Sequence, residues 1–504
     1  MAEKHLDDEQ SQFYGARLME PKRIFICADH GLAIVYFLQT EVVPSLLKKG
    51  VEVIVLTDEG LLSQITAKFG QPGLIFESLR LKEARKYSET VSPSAQYWLH
   101  FLRRFGASSK INTEALDSQI PQVEFEARGK RKLLAPIMRV GIWAMRHFRW
   151  AREWVRREQM RYIPGLYTDL FEKYNPQLVV ASTPGWRFDR YLLREAAQRN
   201  IPTATVIVGW DNPSSYSISG APMDWANCWS EIQKEELVLG SDWDAEQVFV
   251  GGIPSYDGYF KKQWLMGKEP YYQLHHLEPD RKLIAYASSF ITYAPNFDNI
   301  KALAQLVEAD ALDEPTQLLI RLHPNHFMND PLYAGEREKV RQLVQTCKHV
   351  KLVEPVPLGG ELGYYSGEDM PEKSSMMAYA DVFTTVYSTM VVESAIHERP
   401  IVSVCIDAPG GWNRPDKFSL ALTEIGEWPT HDRFRKAQAG QVAYDANQLK
   451  IALNRALKEI PEEAAHRAQF VKEEVTFTNG KSGEQVGDYL FSCIGKSYRK
   501  GNAK

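Results

Sequence analysis

The sequence predicts an α/β protein built from two Rossmann-like domains that face each other across a cleft. Short apolar segments alternate with helix-length segments along most of the 504 residues, which is the pattern of βαβ units and parallel sheets. A Gly-Gly-Ile-Pro segment at 251–254 interrupts the alternation and separates the strands into two sets. A chain of this length can bury two cores, so each set of strands is predicted to form its own domain.

The first domain is predicted over residues 22–260, after a polar tail at 1–21 that shows no secretory signal and is expected to fray. An apolar helix is predicted at 33–49, and residues 80–165, which lack the alternation, are interpreted as a helical insertion. The strands of this domain are predicted at 23–28, 51–56, 74–77, 177–181, 203–208, 225–230 and 247–250.

The second domain is predicted over residues 281–490, after a hinge between 255 and 280. Parallel sheets carry their functional side chains in the turns that follow the strands, so a site is expected in those turns. The strands of this domain are predicted at 282–287, 316–322, 350–354, 381–386 and 400–406.

Composition excludes several classes of function. The net charge of −4 argues against a dedicated nucleic-acid binder. Five scattered cysteines without a Cys-x-x-Cys pair suggest neither a disulfide framework nor a zinc site, and they suit a reducing cytoplasm. The sequence has no Walker A loop and no Gly-x-Gly-x-x-Gly, which disfavours kinases and dehydrogenases. No apolar run is long enough to cross a bilayer, so the expected location is cytoplasmic or peripheral on the inner face of a membrane.

Hydroxyl and imidazole side chains follow three strands of the predicted second domain. Ser388 and Thr389 stand at the start of a helix, where free N–H groups and the positive dipole end attract phosphate. Pro324 ends another strand and presents His323 at its tip, and a serine pair, Ser288 and Ser289, follows a third strand. Each serine or threonine could also be a simple helix cap, but three such turns at one sheet edge favour a phosphate site.

Two of these segments resemble the C-terminal half of GT-B-fold glycosyltransferases. The segments are Arg-Leu-His-Pro at 321–324 and Tyr-Ser-Thr at 387–389, and the nearest groups are the CDP-glycerol glycerophosphotransferase type and bacterial sialyltransferases. The resemblance implies that the last helix crosses back to the first domain and that a glutamate in the helix after the Ser-Thr turn holds the donor ribose. The donor-binding residues so implied, together with the serine pair, are Ser288, Ser289, Arg321, His323, Tyr387, Ser388, Thr389 and Glu393.

The first domain is expected to supply the catalytic base and the acceptor site. His30 follows the first strand, and an imidazole there could remove the proton of an acceptor hydroxyl while Asp29 orients or replaces it. Asp58 competes for this role, because Asp-Glu-Gly at 58–60 looks like the acidic motif of sialyltransferases. Both segments are also ordinary turn sequences.

An acceptor contact is predicted after the strand at 203–208. Trp210 could offer a flat apolar platform to a sugar ring, with Asp211 and Asn212 as partners for its hydroxyls, although Asn-Pro also starts ordinary turns. Asp381 and Asp407 do not form the paired aspartates of magnesium-dependent transferases, so no metal is expected. No cofactor is expected either, because the nucleotide-activated donor is a substrate.

The insertion contains a basic, tryptophan-rich segment. Ten Lys or Arg residues lie between Lys130 and Arg161, against two acids. Tryptophans at 143, 150 and 154 are predicted to share one side of a helix at 136–161, with the arginines opposite, as in helices that bind a membrane surface. The alternative is a helix that packs its tryptophans on its own domain.

Taken together, these features predict a metal-independent glycosyltransferase that moves a sugar, or a polyol phosphate, from a nucleotide donor to a hydroxyl acceptor, which is a glycan or a lipid-linked molecule. Surface polysaccharide or glycolipid synthesis would use such an activity. Two alternatives remain: a UDP-sugar 2-epimerase on the same fold, and a non-catalytic scaffold that docks on membranes.

Overall fold

The computed structural model describes residues 21–113, 116–289, 296–328, 331–356, 367–407, 420–458 and 460–501. Two parallel β-sheets, each flanked by helices, make up the described part of the chain. The predicted tail at 1–21 lies outside these residues except for its last position. The predicted fold class, two parallel-sheet α/β domains with a helical insertion in the first, is therefore confirmed.

The first sheet has seven strands in the order β3-β2-β1-β4-β5-β6-β7. The strand order reverses between β1 and β4, which is the position where open parallel sheets leave a crevice for ligands. The strands are β1 Lys22–Cys27, β2 Val51–Thr57, β3 Leu74–Ser78, β4 Leu178–Ala181, β5 Thr203–Val206, β6 Trp225–Cys228 and β7 Val248–Val250.

The second sheet has six strands in the order β10-β9-β8-β11-β12-β13. Most strands of both sheets are apolar runs buried on both faces, as expected for parallel sheets covered by helices on two sides. Its strands are β8 Lys282–Ala287, β9 Thr316–Arg321, β10 Val350–Val353, β11 Val382–Thr385, β12 Ile401–Val404 and β13 Gln441–Ala443. The last of these strands was not predicted.

Helices cover both sheets. Those before the second sheet are Gly31–Leu38, Val42–Lys48, Leu62–Phe69, Leu81–Thr90, Pro93–Phe105, Leu116–Glu126, Leu134–His147, Arg149–Gln159, Thr168–Tyr174, Asp189–Gln198, Asn212–Tyr216, Glu231–Glu235, Asp257–Phe260 and Lys268–Leu274. Those that follow are Phe297–Glu308, Pro331–Thr346, Met370–Tyr379, Met390–Ile396, Leu422–Gly426, Pro429–Lys436, Ala446–Leu457, Pro461–Val475, Ser482–Cys493 and Tyr498–Gly501. No helix in the described ranges is long and apolar enough to span a membrane.

The predicted helix at 33–49 is wrong in one respect, because the structure has two helices there, Gly31–Leu38 and Val42–Lys48. The Thr40 hydroxyl lies at the break, where it donates to the Tyr36 carbonyl at 2.5 Å and accepts from the Val42 N–H at 3.4 Å. Threonine hydroxyls compete in this way with the hydrogen bonds of a helix.

The predicted helix at 136–161 is also two helices, Leu134–His147 and Arg149–Gln159, because the backbone is extended at Phe148. Two of the arginines predicted to lie opposite the tryptophans pair with a carboxylate of their own domain. Arg152 and Arg156 both contact the Asp242 carboxylate, at 2.8 and 3.1 Å. These ion pairs hold the second helix against the first domain.

The C-terminal segment contacts the first domain. Helix Ser482–Cys493 packs against helix Val42–Lys48, and the two approach closely at Gly487, where a Cβ atom would lie 2.6 Å from Ser45 Cβ. Beyond this helix, the Trp225 indole donates to the Lys496 carbonyl at 2.9 Å. The chain therefore runs from the first domain to the second and back.

Candidate functional site

A cavity of about 200 Å³ lies between the two domains, where the carboxyl ends of both sheets meet. The first domain contributes Leu32, which follows β1, and Val208 and Gly209, which follow β5. Tyr36, Tyr256 and Tyr259 add aromatic surface from helices of that domain and from the hinge segment. Of the predicted donor-binding residues, the cavity wall includes Ser288, Arg321, His323, Ser388, Thr389 and Glu393.

His323 is held in one orientation and one tautomer. Its backbone N–H donates to the Ser288 hydroxyl at 2.6 Å, so Ser288 positions this residue instead of capping a helix. The Asn325 N–H donates to His323 Nδ1 at 3.1 Å, which makes Nδ1 an acceptor and leaves the ring proton on Nε2. Burial, aided by the charges of His326, Arg321 and Lys373, lowers the pKa of His323 to about 3. At neutral pH this ring is therefore an uncharged hydrogen-bond donor.

Arg321 is buried between two carboxylates. It donates to Glu372 at 2.8 Å and also to Asp369. Both carboxylates belong to the start of helix Met370–Tyr379, so the guanidinium joins β9 to this helix. The charge of Arg321 is compensated by protein groups even though the residue lines the cavity.

Glu393 connects the two domains beside the cavity. Its Oε2 accepts from the Tyr259 hydroxyl at 2.5 Å and lies 2.6 Å from Lys373 Nζ. Lys373 and Tyr259 both line the cavity, and sequence reasoning missed both. Neither residue follows a strand directly, and no sequence motif indicates that the folded chain brings both of them to Glu393.

In the Tyr-Ser-Thr turn at 387–389, Ser388 and Thr389 line the cavity, whereas Tyr387 is buried in the core. The Ser388 hydroxyl also accepts from the Met390 N–H at 3.3 Å, just before the short helix Met390–Ile396. Tyr387 adopts a positive φ of 33° and lies buried against His431, with ring centroids 4.6 Å apart. Tyr387 is not part of the cavity wall.

Ser289 also lies away from the cavity wall. Its backbone N–H donates to Asn296 Oδ1 at 2.8 Å, and the Asn296 side chain in turn donates to the Ser289 carbonyl at 3.2 Å. Ser289 therefore belongs to the buried start of the segment that leads into helix Phe297–Glu308.

Asp29 and His30 form a buried pair at the carboxyl end of β1. His30 Nδ1 lies 2.7 Å from Asp29 Oδ1, which also accepts from the Ser182 hydroxyl at 2.8 Å. Burial would raise the pKa of Asp29, but His30, Arg187 and Ser182 outweigh it, so the pKa lies below its ordinary value. An ionised Asp29 favours the proton on His30 Nδ1 and leaves Nε2 able to accept one. Leu32, two residues further, lines the cavity.

Asp58 is buried at the end of β2, where its carboxylate accepts from the Gly60 N–H at 2.8 Å. This bond caps the short 3₁₀ helix Glu59–Leu61 and accounts for the Asp-Glu-Gly sequence as a turn. Asp58 does not line the cavity.

The structure places Trp210 away from the cavity. Its indole is 1% exposed, donates to Glu474 at 2.8 Å and packs on the Phe470 ring, so neither face is open to a sugar. Asp211 accepts from the Ser215 hydroxyl at 2.9 Å, and Asn212 accepts from the Gly209 N–H at 2.7 Å. Residues 210–212 therefore shape the loop next to Gly209, and the Trp210 ring stabilises the contact with helix Pro461–Val475.

Among the described residues, no group of three or more His, Cys, Asp or Glu side chains is arranged to hold a metal ion. The polar side chains that line the cavity are hydroxyls, one neutral imidazole, the Lys373–Glu393 pair and Arg321, which is already paired with carboxylates. Donors of this kind bind phosphate and sugar hydroxyls.

The fold is similar to solved structures over almost the whole chain. The UDP-GlcNAc 2-epimerase of Neisseria meningitidis, bound to UDP-GlcNAc, is 12% identical with a TM-score of 0.52, and the match covers 93% of this chain and 100% of that one. The S. aureus MnaA structure with UDP is 12% identical with a TM-score of 0.51, over 94% and 98% of the two chains. A glycosyltransferase from Rickettsia africae is 9% identical with a TM-score of 0.48, over 94% and 99%.

The likenesses with the two higher scores show that the chain has the GT-B fold. No protein-family model matches the sequence, and no curated protein sequence matches it.

Proposed function

We propose that this protein is a glycosyltransferase that uses a nucleotide-activated donor. The observation that carries the proposal is the convergence of Ser288, His323, Ser388 and Thr389 on one cavity wall, opposite the first domain. These residues follow β8, β9 and β11, three neighbouring strands of the second sheet. Ligands of open parallel sheets bind at this edge.

The donor phosphates would be held mainly by hydrogen bonds. The donors in the cavity wall include His323 Nε2–H, the hydroxyls of Ser388 and Thr389, and the ammonium of Lys373, which also pairs with Glu393. Arg321 would act indirectly, because Asp369 and Glu372 already bind its guanidinium. Preoriented donors of this kind stabilise the charge that develops on a departing phosphate.

The ribose would lie near Glu393. Its carboxylate already accepts from the Tyr259 hydroxyl, so a ribose hydroxyl would bind beside that tyrosine. A donor bound there would contact both domains, because Tyr259 lies at the end of the first domain and Glu393 in the second.

The transfer itself would be a direct displacement. The acceptor oxygen forms a bond to the anomeric carbon while the bond from that carbon to the phosphate oxygen breaks, and the electron pair leaves with the nucleotide. His30 Nε2 would take the acceptor proton, and Asp29 would stabilise the imidazolium that results. If the substrate were a CDP-polyol, the same hydrogen-bonding side chains would surround the departing CMP.

Product analysis tests the proposal. The purified protein is incubated with UDP-, GDP- and CMP-activated sugars and with CDP-polyols, each with and without hydroxyl acceptors. We expect release of the nucleotide that depends on an acceptor. Conversion of a UDP-sugar to its C2 epimer without acceptor would identify an epimerase instead. No turnover, together with no change in melting temperature with any nucleotide, would favour a scaffold.

A further inference from the structure

The insertion carries an exposed apolar surface on its outer side. It consists of Leu133, Ile137, Val140, Trp143, Phe148 and Trp150, which we call the elbow surface. Each of these side chains is more than one-third exposed, and Val140 is 67% exposed. Eight of the 17 large hydrophobic side chains exposed among the described residues lie between 133 and 154, so this clustering is not the scatter of single residues seen on ordinary surfaces.

Packing within the domain does not account for the elbow surface. Helix Leu134–His147 has a second apolar stripe, formed by Ala135, Met138, Ile142 and Met145, and that stripe is the buried one. The helix is therefore apolar on two sides. The side that belongs to the elbow surface is exposed and is covered by no other described element. A helix of this kind needs a partner on its outer side.

The aromatic residues gather where the two helices meet. The Phe148 ring lies 5.4 Å from the Trp143 ring and 5.9 Å from the Trp150 ring. On the inner side, Arg152 and Arg156 bind Asp242 and hold the second helix in place. The aromatic cluster is thus presented outward by an anchored pair of helices.

Exposed cations border the elbow surface. Lys130, Arg131 and Lys132 lie on the short helix Gly129–Leu133 that leads into it, and Arg157 lies on the second helix. Within the part of the chain that the structure describes, no carboxylate pairs with any of these four residues. Their charges would repel a second copy of the same surface but attract an anionic one.

We propose that the elbow surface docks on an anionic lipid bilayer. The tryptophans and Phe148 would enter the boundary between headgroups and acyl chains, where aromatic side chains are favoured, and the four cations would contact lipid phosphates. This inference concerns a different surface from the cleft and does not rest on the proposed function. Docking would also hold the cleft near the membrane, because packed helices connect the two. Helix Pro93–Phe105 packs on helix Arg149–Gln159 and on helix Asn212–Tyr216, and the latter begins three residues after Gly209 of the cavity wall.

Vesicle flotation with the full chain tests the proposal. Vesicles of phosphatidylcholine mixed with phosphatidylglycerol are compared with vesicles of phosphatidylcholine alone. We expect the wild-type protein to float with the anionic vesicles, to be released by high salt and to show a blue shift of tryptophan fluorescence when bound. Ile137→Ser combined with Val140→Ser, and Lys130→Glu combined with Lys132→Glu, should each reduce binding by about tenfold or more.

The matched control is Ile451→Ser, because Ile451 is 60% exposed on a helix of the second domain. This variant should bind the vesicles as the wild type does. Failure of the wild type to bind anionic vesicles would overturn the proposal, and so would equal binding by the Ile137/Val140 variant with an unchanged melting temperature. A concentration-dependent dimer that the same variant dissociates would also overturn it, because the elbow surface would then be a protein interface.

Discussion

In the proposed mechanism, the role of His30 as a base depends on the hydrogen bond between its Nδ1 and Asp29. The bond fixes the ring at the end of β1, and the proposal assigns the acceptor proton to the other ring nitrogen, Nε2. His30 does not line the cavity that would hold the donor phosphates. Catalysis and donor binding should therefore respond differently when this residue is changed.

We expect His30→Asn to lower kcat by about 10²- to 10⁴-fold while the affinity for the nucleoside diphosphate stays within about twofold. Asparagine keeps an amide donor toward Asp29 but cannot accept a proton. Steady-state kinetics and a binding titration on the same protein measure the two effects. His276→Asn is the control, because His276 is exposed and has a positive φ of 51° that asparagine tolerates. Unchanged kcat in His30→Asn would exclude His30 as the base.

At the scale of single residues, the cavity residues that could be predicted from the sequence are those that follow strands directly. His323 and Ser388 could be found because the local sequence pattern predicts the strand, the turn and the helix around them. Lys373 and Tyr259 could not be found, because no local motif marks them. Tyr259 lies 134 residues before Glu393, and Lys373 contacts Glu393 from within a different helix. The burial of Trp210 away from the cavity could not be predicted either, because helix Pro461–Val475 covers it only in the folded chain.

Among the elements, helix Met370–Tyr379 organises the second domain's side of the cavity. Asp369 and Glu372 at its start bind Arg321 of β9, and Lys373 on the next position reaches Glu393. The sequence predicted β9 and its histidine but did not predict this helix as part of the site. A charged helix start gives no indication of which strand it will contact.

Arg321→Met should reduce the free energy of unfolding by about 3 kcal/mol, because it leaves Asp369 and Glu372 buried without their cation. Urea denaturation measures this change. The matched control is Arg341→Met, which breaks the partly exposed pair with Glu354 and should cost less than about 1 kcal/mol. A stable Arg321→Met protein that has lost nucleotide affinity would show that Arg321 binds the ligand directly.

On the scale of the whole molecule, contacts between the domains and the C-terminal segment define the cleft. His431 lies in an aromatic cluster between Tyr387 of the second domain and Trp210 of the first. The sequence predicted two domains and, through the GT-B resemblance, a returning last helix. It did not show how the domains are oriented, because that depends on side chains such as His431 and Glu474 that carry no motif.

Burial, with the charges of Arg433 and Arg435, lowers the pKa of His431 to about 3. In the unfolded chain a histidine has a pKa of about 6.5, so the unfolded state binds a proton first as the pH falls. The stability that neutral His431 contributes is complete above pH 6.5 and is lost progressively toward pH 3. His431→Phe should therefore lose about 2 kcal/mol less stability than the wild type between pH 7 and pH 5.

Urea denaturation at the two pH values measures this difference, with His276→Asn as an exposed-histidine control. An equal loss of stability in wild type and His431→Phe would show that His431 does not contribute to the acid sensitivity.

Calorimetric titration of CMP, CDP, UDP and GDP into the full chain tests the central claim, that the cleft binds a nucleotide phosphate through His323. We expect at least one of these nucleotides to bind, and His323→Ala to weaken its binding by roughly 10- to 150-fold, the effect of losing a hydrogen bond to a charged group. The His323→Ala protein should keep its melting temperature, and His276→Asn should bind as the wild type does. If none of the nucleotides binds, or if His323→Ala binds equally well, the claim is contradicted.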